Sequence, residues 1–75
     1  MTPYTNLGGD SGIASYQTGT TSITIEFNTG AVYLYDYHKP GSLHVKRMKS
    51  LAKAGRGLNS YIGMYVRSNY AAKLR

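Results

Sequence analysis

The sequence predicts an α+β domain: a three-stranded antiparallel meander followed by two helices packed on one face. Between residues 13 and 37, apolar and aromatic residues recur every second position, which is the period of a half-buried strand. From residue 43 the apolar spacing lengthens to three and four, which is the period of an amphipathic helix. The connections "GTT" and "NTG" are short enough to join only antiparallel neighbours.

Residues 1–12, MTPYTNLGGDSG, combine Pro, Gly, Asn, Asp and Ser without apolar periodicity, so they are expected to form a flexible N-terminal arm ahead of a single domain at 13–75. "IASYQ" is the first strand. "SITIEF" is the second, alternating Ile23, Ile25 and Phe27 with Thr24 and Glu26, and "AVYLYDY" is the third. "HKPGS" ends the sheet because Pro40 has no N–H to give a ladder, and Ser42 is the expected N-cap of the next element. From Leu43 to Ala54, Val45, Met48, Leu51 and Ala52 make a helical stripe, with Gly55 suited to the C-terminal cap. A second short helix is expected near Leu58, where Leu58, Tyr61, Ile62 and Tyr65 follow helical spacing around Gly63. The tail "RSNYAAKLR" either extends that helix or crosses the sheet.

The face taken by Tyr33, Tyr35 and Tyr37 depends on the hairpin loop, since a slip of one residue exchanges the two faces of a strand. A two-residue loop, Thr29 and Gly30, sends the tyrosines away from Ile23 and Ile25 but needs a positive φ at a β-branched residue. A three-residue loop with Gly30 in the left-handed region suits every residue better. It sets Ile25 opposite Tyr33 and Ile23 opposite Tyr35, beneath the helices. On this reading Phe27, Tyr33, Tyr35, Ile62 and Tyr65 are structural core.

A chain of 75 residues buries about 60% of its unfolded surface, and the absence of cysteine removes any disulfide or Cys-based zinc supplement. No apolar run approaches the ~20 residues of a membrane span, and no signal-peptide pattern opens the chain, so a cytoplasmic protein without membrane association is expected. The net charge is +6, and it is split: Asp10, Glu26 and Asp36 precede residue 37, whereas all nine lysines and arginines follow residue 38. A one-sided positive field of this kind concentrates phosphate-bearing partners.

Lys46, Lys49 and Lys53 recur at three and four with Arg47 beside them, although like charges at such spacings oppose the helix that carries them. "KAGRGLN" places two glycines around Arg56 ahead of a helix, without the Gly-x4-Gly-Lys-Ser/Thr spacing of a P-loop. It reads either as a phosphate cradle or as a tight interhelical connection. Lys46, Arg47, Lys49, Lys53, Arg56 and Arg67 are the candidate phosphate contacts, and Tyr37 and Tyr61 the candidate stacking rings. His38 and His44 are the only histidines, and a metal there would need further ligands from Asp36 or Glu26. As an acid–base pair able to cleave RNA they occupy a turn and a first helical turn, where exposed histidines are ordinary. No enzyme activity, metal or cofactor is expected.

"SITIEFNTGAVYLY" and "GRGLNSYIGMY" together resemble the KTSC domain, a short bacterial and phage-associated module named for the C-terminus of some lysyl-tRNA synthetases. Phe27, Gly30, Tyr33, Tyr35, Gly55, Asn59, Ile62 and Tyr65 stand at the matching positions. The chain departs from the pattern at "YHKP", one residue longer than the family's Val-Pro approach, and at Lys53 and Gly57, where the family tends to carry a serine and an aromatic. The resemblance implies a small α+β module without assigned function for which RNA binding has been suggested. The expected partner is RNA, including tRNA, with a protein partner as the alternative.

Overall fold

Alternation of Ile23, Ile25 and Phe27 with Thr24 and Glu26 makes the central strand of an antiparallel sheet in the computed structural model, which describes residues 1–7, 12–66 and 68–75. The strands are β1 (Thr2–Pro3), β2 (Ile13–Thr18), β3 (Ser22–Phe27), β4 (Val32–Asp36) and β5 (Ala72–Lys73), and their order in the sheet is their order in the chain. Among the described residues five strands therefore stand where the pattern predicts three. The two additions are edges of two residues each, too short to show any alternation.

Gly30 fixes the β3–β4 register. Its φ is 93°, its N–H donates to Phe27 O at 2.9 Å, and Phe27 N–H donates to Ala31 O at 2.9 Å. Ile25 then faces Tyr33 and Ile23 faces Tyr35, the register that the three-residue loop predicts. In β2 the register shifts between Ile13 and Ser15. That bulge brings Ile13 and Tyr16, three residues apart, onto the same face as Phe27 and Ile25.

Of the arm expected over residues 1–12, residues 1–7 pack onto the fold, and residues 8–11 lie outside the described residues. Thr2 and Pro3 pair with Tyr16 and Ser15, and Tyr4, 7% exposed, joins the hydrophobic core. Leu7 N–H donates to Gly55 O at 2.6 Å, which ties this segment to the far end of the first helix. The aromatic ring of Tyr4 supplies the burial that a stretch of Pro, Gly and Asn conceals.

Asp36 shapes the exit from β4. Its Oδ1 accepts the N–H groups of His38 and Lys39, each at 2.9 Å, and Gly41 N–H donates to Asp36 O at 3.1 Å. Helix α1 spans Ser42–Ala54, and its N-cap is Gly41 at φ 115°, without a side-chain cap. Ser42, expected as the cap, lies one position inside. Val45, Met48 and Ala52 are buried against Ile23, Ile25 and Tyr35.

Gly55 ends α1 at φ 77°, with its N–H shared between Leu51 O and Ala52 O. A Cβ here would lie 2.8 Å from Thr5 Cβ, so both conformation and space call for glycine. Helix α2 (Leu58–Tyr61) passes into a π-helical turn, Ile62–Val66. Leu58, Ile62 and Val66 are buried at a spacing of four, which the wider π turn keeps in line. Tyr65 falls off that line and is 59% exposed, so it is not the core residue that a 3.6-residue period predicts.

Candidate nucleic-acid interface

At 100° per residue, a helix that buries Val45, Met48 and Ala52 sends Lys46, Lys49 and Lys53 to one flank and His44, Arg47 and Leu51 to the other. The cations that the sequence gathers into one row are thus divided. On the lysine flank, Lys46 Nζ stands 5.9 Å and Lys49 Nζ 6.0 Å from the ring centre of Tyr37. Lys49 Nζ also donates to Gly19 O at 2.6 Å and Thr20 O at 3.2 Å in the β2–β3 turn. Tyr37 packs against the core, and its N–H donates to Thr21 O at 3.2 Å. Both the ring of Tyr37 and the ammonium of Lys49 are therefore engaged within the protein. Tyr37, expected as a stacking ring, and Lys49, expected as a phosphate contact, thus already have partners within the protein.

The other flank opens into a groove of about 580 Å³ lined by His44, Arg47 and Leu51 of α1 with Gly57, Ser60, Tyr61, Met64 and Tyr65. His44 Nδ1 and Tyr61 Oη are hydrogen-bonded at 2.6 Å, the donor set by the imidazole tautomer, with ring centres 5.7 Å apart. Tyr61 in turn meets Tyr65 at 4.9 Å between centres and 44° between planes. Three rings run in series from α1 to the π turn. The π geometry that removes Tyr65 from the core is what delivers it to the groove.

Lys53 and Arg56 are exposed, whereas Arg67 lies outside the described residues. The glycine loop joins α1 to α2, and two of its amides are occupied. Gly55 N–H is held by α1, and Leu58 N–H donates to Tyr4 Oη at 3.4 Å, so these two amides already have partners. Arg75 is also committed, donating to Glu26 Oε2 at 2.6 Å and Gly30 O at 3.1 Å.

Phe27, Tyr33 and Tyr35 pack as expected, and Tyr70 completes their cluster from the tail. Ring centres lie 5.7 Å apart for Phe27 and Tyr33, 4.6 Å for Tyr33 and Tyr70, and 6.5 Å for Tyr35 and Tyr70. Burial, reinforced by the neighbouring Tyr33 and Tyr70 phenols, pushes the Tyr35 hydroxyl up to about 12. Ile62 is buried beside them. The contacts made by His44, Tyr65 and Tyr70 are not marked in the sequence. A His at 44 and a Tyr at 61 carry no local pattern that announces their meeting.

Among the described residues no cluster of three or more His, Cys, Asp or Glu could hold a metal ion, and no helix is long and apolar enough to cross a membrane. Comparison with protein-family models, curated proteins and solved structures returns no match.

Proposed function

We propose that this chain is a small KTSC-like RNA-binding module of the cytoplasm, without catalytic activity. The observation that carries the reading is the charge layout on the helical layer. Lys46, Arg47, Lys53 and Arg56 are exposed on α1 and the loop after it, whereas Glu26 is bound to Arg75 and Asp36 is folded into its own turn. Four phosphate contacts on a single strand release counterions to give a salt slope near −3, so raising salt from about 50 to 200 mM should weaken binding about 50-fold. Titration of labelled tRNA and oligouridylate at the two salt concentrations tests this. No binding at micromolar protein in low salt ends the RNA reading.

A protein partner is the second reading, supported by Leu43, 83% exposed, and Met64, 65% exposed. Capture that persists at high salt would favour it, because apolar contact is not screened.

A further inference from the structure

We propose that the groove between α1 and the π turn takes one unpaired nucleotide of single-stranded RNA, its base stacked on Tyr65 and its phosphate bound by Arg47. This rests on the RNA reading and names its recognition site. A groove of about 580 Å³ is within the range of small-ligand sites, roughly 300–1,000 Å³, which suits a nucleotide. The Tyr65 ring is largely exposed and is braced on one side by Tyr61, which His44 holds in turn. It is a fixed ring with surface to offer, whereas Tyr37 is already faced by two ammonium groups.

Arg47 supplies a planar guanidinium able to pair two phosphate oxygens, and Ser60 a hydroxyl for a base edge or ribose. No carboxylate lines the groove among the described residues, so nothing there repels a phosphate. Met64 and Leu51 provide apolar walls. A base stacked in this way must first leave a duplex, so the site discriminates single strands from paired ones.

The test measures affinity for an oligouridylate and for a duplex RNA of equal length, using the wild type, Tyr65→Ala, Tyr65→Phe and Arg47→Gln. Loss of one stacked base weakens single-strand binding about tenfold in Tyr65→Ala, leaves duplex binding unchanged, and is restored in Tyr65→Phe. Arg47→Gln lowers the salt slope by about 0.7. Circular dichroism checks that each variant is folded. If the wild type binds both RNAs and Tyr65→Ala binds the single strand equally well, the nucleotide site is wrong while the RNA reading stands. If the wild type binds neither, both fall. If sedimentation shows a dimer that Tyr65→Ala turns into a monomer, the groove belongs to a second copy of the chain and the inference is overturned.

Discussion

The two flanks of α1 carry the same ingredients, tyrosine rings beside cations, and use them differently. On the lysine flank the ring is half-buried, both ammonium groups face it, and Lys49 is tied to the carbonyls of Gly19 and Thr20. On the arginine flank the ring of Tyr65 is exposed and the hydrogen bonding is between His44 and Tyr61, which leaves the guanidinium of Arg47 at a groove wall. An aromatic–cation pair is thus no indicator of a binding site by itself. One cluster fastens a hairpin to a helix, and the other is held open.

The strongest challenge to this contrast is to remove the core on which both flanks rest. Tyr35, 1% exposed, meets Ile23 and Tyr70, and Tyr35→Ala should cost about 3–5 kcal/mol, enough to unfold a domain of this size in urea titration. A milder probe of the same ring is pH. An unfolded tyrosine loses its proton near ~10, whereas folded Tyr35 keeps it to about 12. The folded state therefore holds more protons at Tyr35 in that interval, and the contribution of this group, constant below pH 10, should fall by about 2 kcal/mol as pH rises to 12. Tyr35→Phe should lose this component of the alkaline decline in unfolding midpoints.

Gly55→Ala separates the flanks. It forces a side chain into the left-handed region and against Thr5, costing about 2 kcal/mol by denaturant unfolding. Because it disturbs the link to α2, RNA binding through the groove should suffer more than the lysine cluster's support of the β2–β3 turn. Lys49→Ala should do the reverse, lowering stability by about 1 kcal/mol while leaving single-strand discrimination intact. Arg56→Gln is expected to have the smallest effect, with stability within ~0.5 kcal/mol and the salt slope reduced by about 0.7.

The hairpin register was legible because one glycine decides it: Gly30 suits the left-handed position and Thr29 does not. The stripe Val45, Met48 and Ala52 was equally plain, since thirteen residues give a helical period time to repeat. What escaped were features without a period. Edge strands of two residues carry no alternation, and Tyr4 is recruited by contacts with Leu58 and the start of β2 rather than by its neighbours in the chain. A 3.6-residue count misplaces Tyr65 because the π turn breaks that period. The division of the cations follows from α1 itself. Which flank is closed does not, because Gly19 and Thr20 are about 30 residues away from Lys49.

The two short edges have a consequence for behaviour at high concentration. Each outermost strand of the sheet offers a neighbour only two residues, and each ends in a residue that discourages further pairing: Pro3 has no N–H to donate, and Lys73 brings a charge. A sheet that carries three isoleucines and three tyrosines in its strands thereby presents only short, interrupted edges to a neighbouring chain.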